Sequence, residues 1–476
     1  MSTENIIFTG VALYMLGMLG VGYYASRKSH TVADFLVAGR GLSLPLCSMT
    51  VMATWVGGAM MLGGAGAAFD DGMLGVIADP WGGALALILV AMFFARVFRR
   101  LKLVTVTDFM EQRFGRVAGI GITITTIFSN VMWVAGMLVA FGTIFEVLTN
   151  IPVETGIIIG AIIVFAYTML GGMWAVALTD FVQMTIIIVG LVILLIVVLV
   201  DVGGWGAIGT RLPTGTFNML PPENTSEQWL NYLRAWTIIG LVDISAQTLF
   251  QRASAAKTER IAQQAFYIGG FGYLLFGMIP VFLGIIGSIT MPGIANSEFI
   301  IPELAKEHLH PVMIAIFVGA MLAAIMSSAD SALLGASSVL AKNIVPWFRP
   351  DTSPRLALMV ARIGIPVFGG IAILIALRIQ VVFDLMVDAN ILGLAAIIVP
   401  FILGVYWKKA NRAGALAGMF SGLAVWIVTM QLWPALPADF MGLAASLVVM
   451  LVVTPLTQRV DPPRPLTDSD GQPVTA

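Results

Sequence analysis

Ala323-Ala324-Ile325-Met326-Ser327-Ser328-Ala329-Asp330-Ser331 sets three hydroxyls and a carboxylate inside an otherwise apolar run of helical character. At about 100° per residue, Ala324, Ser327, Ser328 and Ser331 follow the i, i+3, i+4, i+7 pattern and share one face, with Asp330 at its edge. Oxygens lined up in this way suit a hard cation. The competing reading is local, because each Ser hydroxyl can bond back to the i−4 carbonyl and merely bend the helix. The surroundings of the stretch bear on that choice.

Composition places those surroundings in a bilayer. Of 476 residues 59% are hydrophobic and 11% charged, against roughly 25% charged in soluble domains, so a soluble chain is excluded. A net charge of −1 without any block of like charge offers no phosphate-binding surface, and no nucleic acid is expected as partner. Cys47 is the only cysteine, and the three histidines lack metal-ligand spacing. Met1-Ser2-Thr3-Glu4-Asn5 lacks the basic start of a signal peptide, so the first hydrophobic segment is expected to be retained.

Apolar runs near the roughly 20 residues needed to span a membrane number thirteen: about 6–25, 44–68, 74–95, 118–147, 155–174, 177–200, 234–251, 263–290, 311–340, 356–377, 383–406, 414–433 and 438–456. Basic residues orient them. The loops after spans 1, 3, 7, 9 and 11, the start of span 10 and the tail hold 21 of the 25; only Arg211, Arg234, Lys306 and Arg378 lie opposite. Cytoplasmic loops carry that excess, which predicts an N-terminus outside, a C-terminus in the cytoplasm and residence in the cell membrane. The tail from Arg459, rich in Pro and Asp, reads as disordered.

Span 2 is glycine-rich, with Ala53-Thr54-Trp55-Val56-Gly57-Gly58 followed by Gly63, Gly64 and Gly66. Unwound backbone at membrane depth is tolerated where it lines a cavity, and its freed carbonyls can then coordinate a cation; close packing through small residues is the alternative. Spans 2 and 7 enter from opposite sides and lie five apart, as the first helices of an inverted five-plus-five repeat. The resulting divisions are 1–43, a first repeat over 44–200, an extracellular loop over 201–233, a second repeat over 234–406, two peripheral helices over 407–458 and a tail over 459–476.

With Gly171-Gly172-Met173-Trp174-Ala175-Val176-Ala177-Leu178-Thr179-Asp180-Phe181-Val182-Gln183, Thr54-Trp55-Val56-Gly57-Gly58, Phe250-Gln251-Arg252 and the Ser-Ser-Ala-Asp-Ser run, the chain resembles the sodium/solute symporters over nearly its whole length. It is most similar to their high-affinity choline transporter branch. The resemblance implies an all-α membrane protein of LeuT-type fold and Na⁺-driven uptake of a small organic solute. It also implies a sodium site made by the carbonyls of Ala53, Val56 and Ala324 with the hydroxyls of Ser327 and Ser328. A second sodium near Asp180, Ser328 and Ser331 is left open, since Asp330 stands where a neutral residue is more usual.

Two positions of the branch's aromatic cage correspond to Trp55 and Trp133, while Gly83 and Ala246 replace the others. Intramembrane carboxylates at Asp79 and Asp243, with Gln247 nearby, are the further substrate-binding candidates, because ionisable residues at that depth default to function. Together they favour a cationic or zwitterionic amine, with an amino acid of the proline kind or an organic carboxylate as alternative. Asp384 and Asp388 are expected at the entrance or a solvated surface. No channel filter and no catalytic cluster is visible, so channel and enzyme are disfavoured. Na⁺ is the coupling ion expected, no organic cofactor is called for, and a monomer or weak homo-oligomer is anticipated.

Overall fold

The computed structural model describes residues 3–149, 151–379, 390–434 and 436–474. Asp384 and Asp388 lie outside them. In chain order the helices are α1 (Thr3–Ser26), α2 (Leu44–Ala53), α3 (Ala65–Gly75), α4 (Ile77–Leu101), α5 (Val106–Phe114), α6 (Arg116–Thr149), α7 (Val153–Asp201) and α8 (Ser226–Gly240). They continue with α9 (Gln247–Ala255), α10 (Glu259–Thr290), α11 (Ile300–His308), α12 (Pro311–Val339), α13 (Pro354–Ala376), α14 (Ile398–Tyr406), α15 (Arg412–Leu432) and α16 (Ala438–Thr457).

Eight helices among the described residues are long and apolar enough to cross a membrane: α4, α6, α7, α10, α12, α13, α15 and α16. One of them joins two of the expected spans. At 1.5 Å per residue the 49 residues of α7 would run about 73 Å, more than twice a hydrocarbon core of roughly 30 Å. Gly172 (φ 56, ψ −140) leaves helical conformation and divides the segment. Helix α1 packs along both parts, with Gly22 against Tyr167 on one and Tyr14 bonded to Gln183 on the other.

Helix α12 is the axis of the packing. Its apolar and hydroxyl residues are buried almost all round from Phe317 to Val339, as a helix without a polar face requires, and it lies against α1, α6, α7 and α13. On the other side α10 carries α2, α3 and α4, while α15 and α16 pair with each other at the periphery.

The expected second and seventh spans are both interrupted. Between α2 and the wide turn at Ala59–Gly64, residues 54–57 leave the helix, and Gly57 donates to the carbonyl of Trp55, at 2.8 Å. Between α8 and α9 the chain passes through Val242–Ser245 and reaches extended backbone at Ala246 (φ −64, ψ 133). The loop before α8 carries Gly204–Gly209 and caps the top of α3, where Met73 N–H donates to the Thr216 carbonyl at 2.8 Å.

The tail departs from the disorder expected of it. Lys102 pairs with Asp468 at 3.0 Å and Asp470 at 2.5 Å, Ser469 N–H donates to the Leu101 carbonyl, and Gln112 donates to Thr467. The acidic composition that read as solvated chain is matched by a cation at the start of the α4–α5 loop.

Candidate functional site

The break after α2 exposes backbone oxygens toward α12. Ser327 Oγ lies 3.2 Å from the Ala53 carbonyl and 2.8 Å from that of Ala324, while Ser328 Oγ lies 3.5 Å from Ala53 O and 3.3 Å from Thr54 O. Five neutral oxygens therefore meet within a fully buried space. Thr54 O is one that sequence reasoning did not name; Val56 lies in the same break, one residue before Gly57. At Gly57 the helices nearly touch, since a Cβ there would sit 2.3 Å from Ser328 Oγ. The set fits a small monovalent cation: carbonyls and hydroxyls supply dipoles without a fixed charge. Back-bonding is realised as well, because Ser331 Oγ donates to the Ser327 carbonyl at 2.7 Å.

Asp180 and Ser331 stand on either side of Arg252 rather than around Ser328. The Arg252 guanidinium, fully buried, lies 3.7 Å from Asp180, donates to Ser331 Oγ and reaches the Thr50 carbonyl at 2.9 Å. Thr50 Oγ1 donates to the same carboxylate oxygen. Asp330 accepts from Tyr167 at 2.6 Å and from Ser331 at 3.1 Å. A guanidinium thus occupies the neighbourhood offered for a second cation.

Two cavities meet at the same break. The larger, about 90 Å³, is lined by Trp55, Trp133, Asp243, Ala246, Gln247 and Ser328 together with a hydroxyl-rich face of α6. The smaller, about 50 Å³, is lined by Trp55, Trp133 and Asp79 among the glycines of the broken span. Trp55, Trp133 and Asn390 belong to both. Asp79 accepts from Tyr273, and Asp243 shares a hydrogen bond with Asn390. Neither carboxylate has an ion-pair partner among the described residues, and no Lys, Arg or His lines either cavity.

Gly83 explains the thinned aromatic wall. A Cβ there would sit 2.9 Å from both the Trp55 ring and Tyr273, so its absence lets Tyr273 lie 5.9 Å from Trp55, centroid to centroid. Gln247 lines the larger cavity with its side chain already committed: Oε1 accepts from Val106 N–H at 2.9 Å and Nε2 donates to Val104 O at 3.2 Å. It anchors α9 to the α4–α5 loop. Sequence reasoning missed Tyr273, Asn390 and the α6 face. For α6 the signal was available, because Ile122, Thr125, Thr126, Ser129, Asn130 and Trp133 recur at helical spacing.

The chain is similar to known proteins in sequence and in fold. The model of the sodium:solute symporter family matches residues 35–422. The chain is 31% identical over 434 residues to high-affinity choline transporter 1 of Torpedo marmorata, covering 87% of this chain and 74% of that protein. It is 28% identical to the osmoregulated proline transporter OpuE of Bacillus subtilis, covering 95% of each. Among solved structures, a Na⁺-coupled sialic acid symporter in a substrate-bound outward-open state superposes with a TM-score of 0.83 at 20% identity, over 95% of this chain and 98% of that one. Mhp1, a nucleobase-cation-symport-1 transporter, does so at 0.61 and 15% identity, over 91% and 96%.

Proposed function

This chain belongs to the sodium:solute symporter family and has an all-α, LeuT-type inverted-repeat fold, and from that premise we propose that the solute it couples to Na⁺ is a cationic amine related to choline. The observation that carries the reading is the pair Asp79 and Asp243, half-buried beside two indoles with no ion-pair partner among the described residues. A carboxylate drawn partly out of water without a partner is costly, and a solute cation offsets that cost on arrival. Indole faces add attraction for the same charge. An organic carboxylate would meet two like charges and, among the described residues, no basic side chain.

Na⁺ is assigned to the oxygens of Ala53, Thr54, Ala324, Ser327 and Ser328, with Val56 the remaining carbonyl of the break. Bound there, it ties the unwound segment to α12 and so fixes Trp55 against the cavities. Solute on Trp55 holds the same segment from the other side. The two ligands are then coupled, and each tightens the other by one factor. Asp180, Ser331 and Asp330 are assigned to a structural charge cluster around Arg252, which leaves one transported sodium.

The proposed topology has thirteen crossings, the N-terminus outside and the C-terminus in the cytoplasm of a cell-membrane protein. Its divisions are repeats over 44–200 and 234–406, peripheral helices over 407–458 and a monomeric or weakly self-associating assembly. Vesicles containing the purified protein test the solute assignment under an imposed Na⁺ gradient. Labelled choline should accumulate, and Asp79→Asn combined with Asp243→Asn should raise its KM about 10- to 100-fold, the worth of a charged hydrogen bond. Accumulation of proline in place of choline would refute the cationic assignment.

A further inference from the structure

Two carboxylates exceed what a single ammonium needs. Asp79 lies in the smaller cavity and Asp243 in the larger, and both cavities are lined by Trp55 and Trp133. A solute that fills both spaces must pass the indole. Trp55 is 8% exposed, and its Nε1 is buried without a hydrogen-bond partner among the described residues. An indole N–H can only donate, so the group it lacks is an acceptor on whatever lies between the carboxylates.

We propose that the site is built for a solute with two cationic nitrogens and an oxygen acceptor between them, one nitrogen on Asp79 and Tyr273, the other on Asp243 and Asn390, the oxygen on Trp55 Nε1. The inference rests on the cationic-amine reading and narrows it. Choline carries the oxygen and one charge, so it satisfies half of the arrangement. The Asp79 end has two aromatic walls, Trp55 and Tyr273, with ring centroids 5.9 Å apart. The Asp243 end has hydroxyls instead, from Ser245, Thr248 and the α6 face. Each end therefore has its own chemistry for a nitrogen.

Calorimetry in saturating Na⁺ with three probes separates the contributions: propane-diamine, propane-diamine bearing a hydroxyl on its middle carbon, and choline. The hydroxylated diamine should bind about 10- to 100-fold more tightly than choline, and either Asp79→Asn or Asp243→Asn should remove that advantage. It should also bind about threefold to tenfold more tightly than the plain diamine, a margin that Trp55→Phe abolishes. Unchanged thermal unfolding of the unliganded variants shows that they are folded. Choline binding as tightly as both diamines, and weakened by both Asn variants, would overturn the two-nitrogen site while leaving the cationic reading intact. Binding of proline with no response to any of the three cations would overturn both. Equal affinity for the two diamines would overturn the oxygen contact.

Discussion

In the proposed sodium site Ser327 and Ser328 are each one ligand among about five, and losing a single neutral hydrogen-bonding group costs about 1 kcal/mol. Ser327→Ala and Ser328→Ala should each raise the Na⁺ concentration for half-maximal uptake roughly fivefold with little change in thermal unfolding; unaltered Na⁺ dependence in both would remove the assignment. Arg252 poses the opposite case. Its guanidinium and Asp180 are wholly buried 3.7 Å apart, and breaking such a pair costs about 3–5 kcal/mol because the remaining charge is stranded. Arg252→Leu should unfold at a markedly lower temperature, and adding Asp180→Asn should recover part of the loss; no recovery would mean that the pair is not the source. The serine face was legible in the sequence because helical spacing alone brings it together. Arg252 was not: at the end of a span it counts as a loop cation, and only tertiary packing turns it inward between α2, α7 and α12.

At the scale of elements, the interruptions place the chemistry. The first was legible from Gly57, Gly58 and their neighbours. The second was not, since Leu241-Val242-Asp243-Ile244-Ser245 reads as ordinary apolar helix, and nothing local shows that its backbone departs. Gly57→Ala tests the first break. A methyl 2.3 Å from Ser328 Oγ must displace that hydroxyl, so Na⁺ affinity should fall at least as far as in Ser328→Ala; wild-type affinity would show that the helices do not approach there. Gly172→Ala tests the division of α7. The residue sits at φ 56, and a Cβ would meet the Phe35 carbonyl at 2.3 Å. Left-handed backbone alone costs an L-residue about 1–2 kcal/mol, and the clash adds to it. Thermal unfolding should move down by several degrees, and an unshifted transition would place the reversal elsewhere. The motif around Gly172 was visible in the sequence, but its role as a pivot required the packing of α1 on both parts.

For the whole molecule, hydropathy and the distribution of Lys and Arg conveyed the class of architecture, because a bilayer imposes both. They could not convey the docking of the tail, which depends on Lys102 meeting Asp468 and Asp470 across the chain. Orientation is open to direct measurement. Cys47 is buried, so it gives little background for single cysteines placed at exposed Asn218 and Asp351. A membrane-impermeant maleimide added to intact cells should label Asn218→Cys and spare Asp351→Cys until the cells are opened; the reverse pattern would invert the topology. The buried guanidinium has a consequence for current. A positive charge tethered to the protein backbone stays behind when the solute leaves, so it neutralises Asp180 without consuming an ion on each turnover. Every ion that does cross adds about 2.3 kcal/mol of driving force at 100 mV, roughly a 50-fold factor in the concentration ratio the membrane can sustain. If Arg252 stands in place of a travelling cation, as proposed above, the protein gives up that factor in accumulation and gains a cheaper cycle, with one sodium entering beside each solute molecule.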